Sequence, residues 1–236
     1  MLPAAVRLLL ACLTTLAVLL PSVLANVEKT VFVAPPAVAI PNVRPGLQDL
    51  RLTSLSPSVH IFRTHIPVVF PSGDAPRGLE SWFLLSGLKE DQRYEVRICW
   101  AATQPTTFWL DVHPIAQVFE TPELITALAS YSESIPEPQP IVDDEKAHGP
   151  GDTSASLLFL RIQAAADFYS TNKTLMSSPP DVKVDIILDP YVLNAIPRSL
   201  IPTGIYIIAL AVGAWYLSSY IVGWASAIEP PKVHTE

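Results

Sequence analysis

The chain has 236 residues, a formal charge of −7 and 50% hydrophobic residues, and its mean hydropathy of +0.35 is high for a soluble chain. The acidic balance, with a pI near 5.2, leaves no electrostatic footprint for a polyphosphate backbone and argues against nucleic-acid binding. Proline, 24 residues and about twice the usual share, excludes a mostly helical chain, because it removes a helix donor and clashes in helix interiors.

Residues 1–25 read as a secretory signal peptide: Arg7, an apolar run at 8–20, the helix breaker Pro21, then Val23-Leu24-Ala25 before Asn26. The alternative is an uncleaved anchor, for which the apolar run is short against a span of about 20 residues. Residues 26–198 then form a lumenal domain. Its periodicity is mainly two, with expected strands at 30–34, 49–55, 59–70 (broken near Pro67), 81–85, 94–100, 107–112, 157–163 and 182–188. The pattern predicts a mainly β fold, an antiparallel β-sandwich of the immunoglobulin or fibronectin kind. Tyr94, Val96, Ile98 and Trp100 share one strand face as structural core, and Glu95, Arg97 and Cys99 share the other. Leu88, six residues before Tyr94, gives a spacing similar to the tyrosine corner of those sandwiches. One short helix is expected: Thr121 caps it, Pro122 opens it, Glu123 suits its dipole, and Leu124, Ile125 and Leu128 form its apolar face. Residues 132–156, with Asp143, Asp144 and Glu145, read as a disordered acidic, proline-rich loop. They lack the alternating ligands and turn glycine of a calcium site.

Candidate chemistry is sparse. His60 and His65 are five apart, so on one extended strand they point to opposite faces and cannot share a metal. Asp111 and His113 do share a face, but two residues fall short of the three or four ligands zinc takes. No nucleophile elbow, glycine-rich phosphate cradle or paired-aspartate motif accompanies them, so no catalytic residue, metal or cofactor is assigned. With Cys12 in the leader, Cys99 is alone and reads as a buried small hydrophobe; pairing with another chain stays open. Asn172-Lys173-Thr174 is an N-glycosylation acceptor.

Residues 199–228 carry no charge between Arg198 and Glu229 and read as a single C-terminal transmembrane helix, with 229–236 as a cytosolic tail. The polar ending argues against a GPI-attachment signal. Small residues recur along the span at Ala209, Gly213, Ser219, Gly223 and Ala227, a spacing that lets a partner helix approach closely.

Three stretches carry a resemblance. They are Asn26-Val27-Glu28-Lys29-Thr30, then Tyr94 through Ala102 (YEVRICWAA) with Pro105 and Phe108, and Asn194 through Leu200 (NAIPRSL) leading into the span. Together with the layout of leader, domain and one span, the chain resembles the fungal GPI mannosyltransferase II co-activators, small lumenal subunits of the endoplasmic reticulum (ER) membrane. The resemblance implies a noncatalytic type I subunit that stabilises a polytopic transferase adding the second mannose of the GPI precursor from dolichol phosphate mannose. A similar small subunit of the first GPI mannosyltransferase shares the layout, and a lumenal cargo- or client-binding protein of the early secretory pathway is the alternative of another class. Glycosidase treatment is expected to increase gel mobility, and Asn172→Gln to abolish that shift; an unshifted wild-type band would count against a lumenal domain.

Overall fold

The computed structural model describes residues 25–39, 47–135 and 154–228. Residues 1–24 of the expected leader, most of the acidic loop (136–153) and the expected tail (229–236) lie outside the described residues. The fold is mainly β, with two five-stranded sheets. In the first, β1 (Ala25–Val33), β6 (Arg93–Ala101) and β9 (Val182–Val192) lie side by side and antiparallel, and β4 (Ile61–Ile66) and β10 (Ile196–Pro197) both pair with β9. In the second, β8 (Ser154–Ala166) pairs along its length with β5 (Leu79–Leu88) and β7 (Thr106–Pro114), and the two-residue strands β2 (Val38–Ala39) and β3 (Ser54–Leu55) complete it.

Alternation along each strand supplies one apolar face per sheet, and the two faces bury each other. Val96 and Ile98 of β6, Val184, Ile186 and Leu188 of β9, Phe83 and Leu85 of β5, and Leu158, Leu160 and Ile162 of β8 belong to one continuous buried cluster. Tyr94 and Trp100 sit in the same cluster, 1% and 8% exposed. Trp100 meets Phe108 edge-on at 4.6 Å between centroids, and Tyr94 stacks on Phe32 at 5.8 Å. The Tyr94 hydroxyl accepts the Lys89 N–H (2.9 Å) and donates to Gln92 Oε1 (3.2 Å), which satisfies its one polar atom inside the core. Gly78, at φ +73°, turns the chain into β5 where an added Cβ would collide with the Ala164 carbonyl.

The far face of the second sheet is also covered. Helices α1 (Ile115–Glu120) and α2 (Pro122–Ser134) place Val118, Leu124 and Leu128 against Trp82 and Phe159 in a separate cluster. Two further helices follow, the short α3 (Lys173–Ser177) and the long α4 (Ile201–Ile228).

Several local expectations change. Residues 49–55 are not one strand: Leu47–Leu50 is a 3-10 turn, Arg51 has positive φ (53°), and only Ser54–Leu55 extends, parallel to β5. Thr121 caps α2 through its backbone carbonyl, which accepts the Leu124 and Ile125 N–H groups, while its side chain makes no capping bond. Helix α2 continues to Ser134, into the stretch read as loop, and β8 begins at Ser154 within the same stretch. In place of one short helix there are α1, α2 and α3 besides the apolar α4.

Trp100→Ala removes a ring held between the sheets and is expected to cost about 3–5 kcal/mol. A urea midpoint unchanged from wild type would mean that the ring does not belong to the cooperative core.

Candidate functional site

The first sheet's second face carries its polar residues. Glu95 of β6 points away from the core yet is only 3% exposed. Its carboxylate accepts from Lys29 Nζ at 3.1 Å and from the Tyr191 hydroxyl at 3.3 Å, with Arg97 at 3.7 Å. A buried carboxylate is costly unless it is paired and hydrogen-bonded, and this one is both. An open cleft of about 490 Å³ lies above it, bounded by Val27, Cys99 and Ile187 as well. Cys99 is half-buried and free, and burial pushes its thiol up, away from the reactive thiolate.

One strand over, Asp189 of β9 is 5% exposed, and both of its oxygens accept the Ser199 N–H at 3.3 Å. Ser199 lies in the 3-10 turn Arg198–Leu200, which runs directly into α4. A carboxylate at a helix start satisfies an orphan N–H and complements the dipole. The chain therefore passes from paired strand (β10 on β9) to apolar helix without a linker.

The stretch Arg198–Ala225, most of it α4, is long and apolar enough to cross a membrane, with a window of mean hydropathy 1.8 none of which is buried. Ala209, Gly213, Ser219, Gly223 and Ala227 are all exposed along it. A Cβ added at Gly213 or Gly223 would meet nothing within 4 Å. Ser219 Oγ donates to the Trp215 carbonyl at 3.0 Å, inside the helix.

The other candidates are dispersed. His60 precedes β4 and lends its carbonyl to the Leu188 N–H, while His65 stands in register with Lys183. Among the described residues no group of three His, Cys, Asp or Glu side chains could hold a metal. Asn172 lies at the opposite end of β9 from α4, where its Oδ1 accepts the Thr174 N–H at 3.0 Å and caps α3. Asp111 and His113 sit on β7, on the sheet face covered by α1 and α2. Asp111 accepts from Arg161 at 2.7 Å, and Arg161 also reaches Glu80 at 3.7 Å and lies over the Trp82 ring at 6.0 Å. An aspartate already engaged by arginine is poorly placed to orient His113 as a base. Sequence reasoning named Asp111 and His113 but missed Arg161 and Glu80, which come from other strands; it also missed the burial of Glu95, placed on a strand's outer face, and of Asp189, one residue past the expected strand 182–188.

Burial, with the Arg161 charge second, pushes the His113 imidazole down, so it is held neutral in the fold. The folded value lies below the unfolded one, so the unfolded chain binds the extra proton. The stability this protects is complete above the ordinary histidine range near 6.5 and is lost as pH falls from there through the lowered folded value. His113→Gln is expected to flatten the acid limb of stability below about pH 6.5, measured as urea midpoint against pH; an unchanged limb would assign that loss to other groups.

The family model of the GPI-mannosyltransferase II co-activators matches residues 23–221. A GPI mannosyltransferase 2 subunit of Schizosaccharomyces pombe is 21% identical over 154 residues, which span 65% of this chain and 62% of that protein. No solved structure matches. With the matched region running from the start of β1 well into α4, the chain belongs to the family of GPI-mannosyltransferase II co-activators.

Proposed function

We propose that this protein is a noncatalytic subunit that stabilises a polytopic GPI mannosyltransferase in the ER membrane, at the step adding the second mannose. In this reading residues 1–25 are a cleaved leader, 26–198 an immunoglobulin-like lumenal sandwich glycosylated at Asn172, α4 a type I span and 229–236 a cytosolic tail. The observation that carries it is the junction at Asp189: a β domain clamped to the head of an apolar helix can present a lumenal surface and a membrane surface as one body. A single helix cannot by itself enclose the polar cavity in which a lipid-linked donor meets a lipid-linked acceptor, so the chemistry falls to a partner with many spans. Common burial of the two sheets' inner faces supports the sandwich. The exposed small residues of α4 support helix packing, since dispersion between closely approaching backbones holds helices together in lipid.

The test pairs two variants in full-length protein purified in mild detergent with identification of what comes along. Gly213→Leu with Gly223→Leu is expected to reduce recovery of the transferase without impairing insertion, because leucine is as apolar as lipid. Asp111→Ala with His113→Ala is expected to leave GPI assembly nearly intact at matched abundance. Full recovery with both leucines would remove α4 from the interface, and lost GPI assembly in the alanine pair, with normal abundance and partner recovery, would restore a catalytic role.

A further inference from the structure

The turn joining β9 to β10 combines two features that packing alone does not account for. It spans residues 192–195, is closed by the Ala195 N–H on the Val192 carbonyl at 3.1 Å, and holds both Leu193 and Asn194 at positive φ (53° and 55°). Asn194 suits such a place: it tolerates the left-handed region, its Oδ1 accepts the Arg93 N–H (2.8 Å), and its amide donates to the Asp91 carbonyl (2.9 Å). Leu193 does not. It is an apolar side chain, 94% exposed, in a conformation that glycine or asparagine adopts at less cost. Val192, Ile196 and Leu200 around it are exposed as well.

Of the acids beside the turn, Asp91 is exposed and Glu95 and Asp189 are engaged. Glu95 is taken by Lys29, Arg97 and Tyr191, and Asp189 by the Ser199 N–H. Arg93, over the Tyr191 ring at 5.9 Å, and Arg198 are exposed and have no carboxylate partner among the described residues. This apolar patch with its two arginines, bordered by the exposed Asp91, is continuous with the head of α4. The helix has 28 residues, about 42 Å at ~1.5 Å per residue. That matches the ~40–45 Å of a bilayer counted with its headgroups rather than the ~30 Å of its hydrocarbon. With α4 spanning, its first turn and the adjoining hairpin stand at headgroup level.

We propose that the β9–β10 hairpin is a lipid-headgroup contact, with Leu193 seated in the interfacial layer and Arg93 and Arg198 against lipid phosphates. The inference rests on α4 being a membrane span. Arginine and tyrosine beside apolar side chains anchor at the headgroup level of either leaflet.

The test uses the full chain with Cys12→Ala and Cys99→Ser, reconstituted without other subunits in phosphatidylcholine vesicles, and in the same vesicles doped with phosphatidylinositol. A fluorophore on Leu193→Cys should be quenched by headgroup-region nitroxide lipids and shielded from aqueous iodide. A control on Tyr169→Cys, 85% exposed at the other end of β9, should show the reverse, with a several-fold difference between the two sites. Phosphatidylinositol should deepen the lipid quenching at 193, and Arg93→Gln with Arg198→Gln should abolish that increment. Leu193→Gly should keep or raise the urea midpoint, whereas a purely structural leucine would lower it. Iodide access at 193 equal to that at 169 would overturn the proposal, as would shielding that develops only when the transferase is added. Release of the chain by alkaline carbonate would instead overturn the membrane reading of α4 on which both proposals stand.

Discussion

With Cys99 free, no disulfide holds the described residues together, and the burial of one sheet's apolar face against the other's is the constraint on which the rest depends. Each fully buried aliphatic or aromatic side chain contributes roughly 1.5–3 kcal/mol before the entropy of ordering is counted. The contributing residues come from strands far apart in sequence: β6 and β9 on one side, β5 and β8 on the other. The order is set by non-local pairing, so the core forms only when the whole topology does. Tyr94 shows how a polar atom enters such a layer without penalty: its hydroxyl lies at the rim, where the Lys89 N–H and the Gln92 side chain meet it.

The two carboxylates on the back of the first sheet work differently. Glu95 and Asp189 are almost as inaccessible as the core, but Glu95 meets donors from β1 and β9, and Asp189 meets one backbone N–H, that of Ser199. Leaving either anion without its partners would cost far more than the surface ion pair Arg63–Asp185 contributes. Glu95 thereby ties β1 to β6 and β9, while Asp189 ties the sheet to α4. The link between the β domain and the long apolar helix runs through one side chain, Asp189 on the Ser199 N–H, and a two-residue strand.

Legibility in the sequence followed the range of the interactions. The period-two stretch from Tyr94 to Trp100 and the uncharged run after Arg198 carry their meaning locally, and strand and apolar helix stand there. Proline and leucine around residues 47–55 gave no local sign that most of the segment would turn and only Ser54–Leu55 would extend, since that strand depends on parallel pairing with β5. Helix α1 is a single six-residue piece whose Val118 is stabilised by Trp82 and Phe159, not by its own periodicity. At the candidate site, Asp111 and His113 were readable as neighbours two positions apart. The arginine that occupies Asp111 comes from β8, fifty residues on. Asp189 could be read as an acid just past a strand, but its role depends on a backbone N–H brought back by the β10 hairpin.

Ser219 gives the apolar helix a further property. Its hydroxyl already donates to the Trp215 carbonyl one turn back, so the helix satisfies that proton internally. A neighbouring helix can still offer that oxygen a donor, but it receives no proton from it. With glycine and alanine at the neighbouring positions, recognition along this face would be mainly steric, decided by volume and groove shape, and a methyl group added on one helix could be offset by one removed from its partner. An interface of that kind can drift in sequence while keeping its fit, so that two subunits diverge together and each loses its match to more distant counterparts.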